Sequence, residues 1–142
     1  TDIRRVAIDK EDRPGALCGD NRKWLESLDL SEYAVIDLDA YGVPYDQVDI
    51  LFRRKYCGTV FFTFIQSVMG QMPARLLSAV GIGRYMRRKC STLYGKIGWT
   101  IWLDWLGSNG IDRVWHYSTH RKHYGVFFLG GRVTSDTSTA NK

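Results

Sequence analysis

Paired cysteines are missing from this chain. Its 142 residues include three, Cys18, Cys57 and Cys90, widely spaced and never in a Cys-x-x-Cys arrangement. That argues against a thiolate zinc site and against a disulfide framework, and it suits a reducing cytoplasm. Long hydrophobic runs are missing too. No apolar stretch approaches the roughly 20 residues that span a bilayer, so no membrane partner is expected. Thr1 to Asp20 is charged throughout, unlike a signal peptide. There is no internal repeat and no phosphate-binding glycine loop. The histidines are His116, His120 and His123, at spacings of four and three. On a helix they would share a face, but on a strand and hairpin alternation scatters them, so no metal site is expected.

Hydrophobic residues make up 44% of the sequence, enough for the core of one ordinary domain, placed at residues 1–130 with a Gly, Ser, Thr and Asn-rich tail at 131–142. The net charge of +5 permits an anionic partner without demanding one. The cations gather in three clusters: Arg53, Arg54 and Lys55; Arg84, Arg87, Arg88 and Lys89; and Arg121, Lys122 and His123. Each fits solubility and the neutralising of helix C-termini. The second, with positions 84 and 88 one turn apart, equally fits contacts to nucleic-acid phosphates, and Arg121 with Lys122 at a hairpin tip could touch phosphate too.

Arg4 to Asp9 reads as a short strand ending in an acid, and Ala16 to Cys18 as a weaker one closed by Gly19-Asp20-Asn21. Asp20 or Asn21 suits a helix N-cap, and Trp24, Leu25 and Leu28 give the stripe of a short helix over 21–29. Residues 33–38 form the next strand. A helix over 45–55 opens at Pro44. Thr59 to Ile65 is apolar on both faces, as expected of a central parallel strand. Pro73 opens a helix running to Cys90. Leu93 to Leu106 is apolar nearly all round and predicts a buried helix carrying Trp99, Trp102 and Trp105. These tryptophans, with Trp115, read as core, or as a stripe for docking a partner or a second copy. Residues 111–118 and 124–129 form a closing hairpin. Strands joined by short helical crossovers predict a doubly wound, mostly parallel α/β sheet with a C-terminal antiparallel hairpin.

The most pointed stretch is Tyr33 to Pro44. An apolar strand ends in Asp39-Ala40-Tyr41-Gly42, delivering an acid and an aromatic where open α/β sheets bind ligands. The order of elements, with acids closing three successive strands, resembles the class I S-adenosylmethionine-dependent methyltransferases over about residues 4–129. That fold has seven strands, the last inserted antiparallel through a hairpin. The resemblance implies that Asp9 holds the cofactor ribose and that Asp20, with Asn21 beside it, meets the adenine amine. In its fourth-strand motif the chain is most similar to tRNA guanine-N2 dimethyltransferases: Asp39, Tyr41, Gly42 and Pro44 match, while Ala40 replaces a proline and loses its rigidity. Asp39 and Tyr41 are thereby implied as catalytic, Asp39 accepting a hydrogen bond from an exocyclic amine of tRNA or DNA and Tyr41 stacking on the base. Asp37 competes with Asp39 but lies within the strand.

The family's first strand and Gly-x-Gly-x-Gly turn should precede Asp9, and no glycine stands there. Gly81 and Gly83 fall in a helical stretch after the fourth candidate strand. The expected fold is thus a Rossmann-like methyltransferase fold lacking its first strand, as a piece of a longer enzyme or a degenerate, non-catalytic scaffold. Either binds S-adenosylmethionine weakly by itself and leaves apolar surface open to dimerisation.

Overall fold

The computed structural model describes residues 5–39, 42–66, 72–89 and 93–130. In chain order these form β1 (Ala7–Asp9), β2 (Ala16–Cys18), α1 (Asn21–Ser27), a 3-10 turn (Leu30–Glu32), β3 (Val35–Leu38), α2 (Tyr45–Arg53), β4 (Gly58–Ile65), α3 (Ala74–Ala79), α4 (Arg84–Lys89), α5 (Leu93–Ser108), β5 (Trp115–Ser118) and β6 (Lys122–Leu129). Strands β1 and β2 form a parallel pair of their own, and a mixed sheet runs β3-β4-β6-β5. The β3–β4 ladder is parallel, while β6 lies antiparallel to both β4 and β5. The fold is mixed α/β, and the expected C-terminal hairpin is present.

The local reasons are legible. Asp20 caps α1, its carboxylate accepting from the Arg22 backbone N–H at 2.9 Å, which satisfies one of the helix's orphan donors. Helix α2 begins directly after Pro44, whose φ of −79° suits a helix start. The single helix expected from Pro73 to Cys90 is two. Helix α3 stops at Val80, Gly81 turns the chain at φ +81°, and α4 restarts at Arg84. The apolar periodicity ran across the break because α3 buries Leu76 and Leu77 while α4 buries nothing. Cys90 and the 131–142 tail lie outside the described residues.

Strand β4 is central, but it is not buried on both faces. Val60, Phe62 and Phe64 point into the core, whereas Phe61 keeps 45% of its surface exposed. The inward row meets Trp99 and Trp102 of α5, with Phe64 to Trp99 at 5.3 Å and Phe62 to Trp102 at 5.6 Å between ring centroids. Trp105 joins α5 to Tyr45 and Phe52 of α2. Helices α2, α3 and α5 share one core cluster with this face of the sheet. Helix α5 is less buried than its composition implied, since Ile97 is exposed, and Trp115 sits on the surface. Cys18 and Cys57 are exposed free thiols. No helix among the described residues is long and apolar enough to cross a membrane.

Gly125 sits opposite Phe62 in the β4–β6 register, and a side chain there would collide with the Phe62 ring. Gly125→Ala should therefore cost about 1–3 kcal/mol by overpacking. Gly107→Ala, where a Cβ meets open space, should cost nothing. Urea unfolding of the two variants checks this, and equal stabilities would refute the packing assignment.

Candidate functional site

One edge of the molecule gathers most of the chemistry. In the parallel pair, Asp9 lies opposite Cys18, and the Gly19 N–H donates to the Asp9 carbonyl at 2.8 Å. Asp9, Asp20 and Asn21 thus emerge together at the C-terminal ends of β1 and β2. From there α1 is tied to the start of α2. Arg22 Nη1 donates to Asp46 Oδ2 at 3.3 Å, and Gln47 Nε2 donates to Asn21 Oδ1 at 3.2 Å. Helix α2 is the element that follows β3 and its terminal Asp39. The three acids singled out from sequence therefore belong to neighbouring strand ends, linked through the first turns of two helices.

The loop after β3 is anchored on its far side. The Gly42 carbonyl accepts from the Ile65 N–H at 2.8 Å, and Gly42 holds φ +100°, a conformation that favours glycine. This fastens the Asp39 loop across the end of β4. Tyr41, the implied stacking aromatic, lies outside the described residues, as does Ala40. Asp39 itself is exposed and lines a cavity of about 560 Å³ together with Asp37, Phe61, Thr63, Tyr117 and Tyr124.

The acids differ in how much of their hydrogen-bonding capacity is already used. Asp9 accepts from the Glu11 N–H at 3.0 Å and pairs with Arg13 Nε at 3.1 Å. Asp20 is more heavily engaged. Arg22 reaches it through the backbone N–H, through Nε, and through Nη2 at 2.7 Å. The Arg22 side chain and backbone together hold the Asp20 carboxyl down at about 2. A carboxylate offers about four acceptor sites, so Asp9 keeps room for a diol while Asp20 keeps less for an amine.

The basic clusters part company. Arg53 pairs with Glu26 at 2.7 Å and Asp49 at 3.3 Å, and Arg54 donates to the Leu25 and Leu28 carbonyls. That cluster holds α1 to α2. Arg84, Arg88 and Lys89 are exposed on α4, with Arg87 half-buried among them. Lys89 lies 5.7 Å from the exposed Tyr85 ring. The third cluster reaches the acid-bearing edge. Lys122 pairs with Ile65, and the Gln66 N–H donates to the Arg121 carbonyl at 2.8 Å, so the hairpin tip stands beside the C-terminal end of β4.

Pairing brings together what alternation along a single strand suggested was scattered. His123 stacks on Trp99 at 4.2 Å, and His116 lies 5.2 Å from the same ring. Burial, then the neighbouring His116, keeps His123 below its usual value, and its Nδ1 lies 2.8 Å from Ser118 Oγ. The hairpin register puts residues 116, 118 and 123 on one face. No group of three metal-ligating side chains is present among the described residues. Sequence reasoning missed the aromatic surface beside the acids, Phe61, Tyr117 and Tyr124. The signal was period-2 alternation of Tyr117 with Trp115 and of Tyr124 with Val126 and Phe128.

No family model matches the chain, and no curated protein or solved structure matches it.

The Asp20 geometry is open to titration. Its folded value is depressed from 3.8 to about 2. The stabilisation is therefore complete above the unfolded value and is lost as pH falls through about 2. In a carboxylate NMR titration, Arg22→Ala should return Asp20 toward 3.8; an unmoved midpoint would refute the pairing.

Proposed function

We propose that this chain is a methyltransferase-like domain of the class I S-adenosylmethionine-dependent type, acting on an exocyclic amine of a nucleic acid, tRNA or DNA. The observation that carries the reading is the strand order. Strand β6 comes last in the chain and is inserted antiparallel between β4 and β5. The doubly wound order 3-2-1-4-5-6 puts a first strand between the second and the fourth. Taken as second, third and fourth, β1, β2 and β3 fit that order: β1 pairs with β2, β3 pairs with β4, and no ladder joins β1 to β3 among the described residues.

The side chains fit half of the cofactor. Asp9 and Asp20, with Asn21, offer acceptors for an adenosine, Asp20 by sharing its carboxylate with Arg22. Nothing in the sequence supplies the glycine-rich turn that would approach the methionine end, so weak binding by this chain alone is the consequence. S-adenosylmethionine, when bound, supplies an electrophilic methyl group. Asp39 contributes orientation, accepting from the amine so that the nitrogen lone pair is released from the base and freed for in-line attack on that methyl group. Arg84, Arg87, Arg88 and Lys89 on α4 add a phosphate-binding patch. Exposed free thiols at Cys18 and Cys57 suit a reducing cytoplasmic setting.

A second reading has its own support. Ala40 in place of proline favours a non-catalytic scaffold of the same fold. The two readings separate on methyl transfer. In the full-length polypeptide that carries these residues, labelled methyl should pass to tRNA or DNA. Asp39→Ala should lower turnover roughly 100-fold. Cofactor affinity by calorimetry should hardly change. Undiminished turnover would remove Asp39 from the site, and no transfer by the parent protein would favour the scaffold.

A further inference from the structure

The sheet face opposite the helices carries three cross-strand rows that alternation and register define. Val35, Thr59 and Phe128 form the first, and Asp37, Phe61, Val126 and Trp115 the second. Thr63, Tyr124 and Tyr117 form the third, with Asp39 continuing β3 beside them. No described helix packs there. Tyr117 is 69% exposed, Trp115 55% and Tyr124 44%, and the aromatics span three adjacent strands.

Charge is distributed around these rings in a specific way. Asp37 and Asp39 line the same cavity as Phe61, Tyr117 and Tyr124. Cations stand at the two ends of the hairpin. The Arg113 guanidinium lies 5.6 Å from the Trp115 ring, and Arg121 with Lys122 occupies the tip. A second copy docked about a two-fold axis would set the same acids against each other, since such an interface is self-complementary. An apolar helix laid over the face would bury two carboxylates without partners. A ligand with flat π faces, N–H donors on its edges and outlying negative charge suits the rings of the second and third rows, the two carboxylates and the flanking cations.

We infer that this face is a stacking platform for single-stranded nucleic acid. Bases lie on Tyr117, Tyr124, Phe61 and Trp115, exocyclic amines donate to Asp37 and Asp39, and Arg113, Arg121 and Lys122 meet the phosphates. Aromatic side chains on an open sheet are a known means of holding unpaired bases. The inference rests on the nucleic-acid substrate of the proposed function and extends it from the strand tip across the sheet.

The experiment is a fluorescence-anisotropy titration with short end-labelled oligonucleotides, without S-adenosylmethionine. Strands of adenine or cytosine should bind more tightly than strands of thymine, which has no exocyclic amine, and binding should weaken steeply with salt. Tyr117→Ala and Tyr124→Ala should each lower affinity roughly tenfold. Unchanged thermal melting would show that both variants keep the fold. Asp37→Ala should reduce the preference for amine-bearing bases, and Asp37→Ala with Asp39→Ala should remove it. Wild-type affinity in both tyrosine variants, or a dimer in sedimentation that these substitutions dissolve, would overturn the platform. Oligonucleotide binding that depends on Tyr117 in a protein that transfers no methyl group would uphold the platform and sink the methyltransferase reading. Methyl transfer with no effect of either tyrosine would do the reverse.

Discussion

The ladder between β4 and β6 is the constraint on which the rest of this structure depends. It runs the full length of both strands, from Gly58 opposite Leu129 to Ile65 opposite Lys122. Its register decides which side chains face the helices, because a slip of one residue would turn every one of them over. With this register Val60, Phe62 and Phe64 meet Phe127, Gly125 and His123 on the helix side. Phe62 needs the space over Gly125, and Phe64 fits beside the His123–Trp99 stack. The aromatic packing and the register therefore support each other. The same pairing carries the hairpin tip to the end of the sheet where β3 delivers Asp39.

That edge is organised more by positioning than by strong energetics. The ion pairs that connect α1, α2 and α3 run from Asp20 through Arg22, Asp46, Arg75, Asp49 and Arg53 to Glu26. Their side chains are mostly solvent-exposed, and exposed pairs contribute little individually. Their effect is geometric, since they hold the first turn of α1 against the first turn of α2. Two groups of acids from different sheets are thereby kept on one side of the molecule. The arrangement also constrains chemistry. Asp20 serves its own helix cap and Arg22 first, so any ligand there must share an occupied carboxylate, whereas no hydrogen bond or ion pair engages the Asp39 side chain among the described residues.

Much of this could be read from the residues. Asp20 before a stripe of Trp24, Leu25 and Leu28 announced α1, and Pro44 announced α2, because capping and fixed φ are local effects. The hairpin was visible in two alternating runs around a polar turn. What escaped was non-local. Phe61 looked buried because Thr59 to Ile65 is largely apolar, and composition does not reveal that, among the described residues, helices cover only one side of the strand. The break at Gly81 escaped because Leu76, Leu77, Val80, Tyr85 and Met86 keep a helical period although the last two face solvent. His116 and His123 looked scattered because their proximity is created by pairing between strands. For the site, Asp9, Asp20 and Asp39 were found as strand-end acids, and the neighbouring aromatic rows were not.

Asp37 within β3 and Asp39 just beyond its end show how the strand tip and the sheet face differ in position. The sequence separates Asp37, within the strand, from Asp39, at its end. Their spacing of two residues nevertheless puts both on one face, about 6–7 Å apart along the strand. A single base edge set against Asp39 at the tip cannot also reach down the strand to stack over Phe61. Asp37 shares its row with Phe61, Val126 and Trp115, and on the proposed platform it would meet the next base along. One strand would then hold a strand of nucleic acid at two points. On the proposed platform the inner acid and the aromatic rows would fix its register, and the outer acid would meet the base presented at the edge where Asp9 and Asp20 stand.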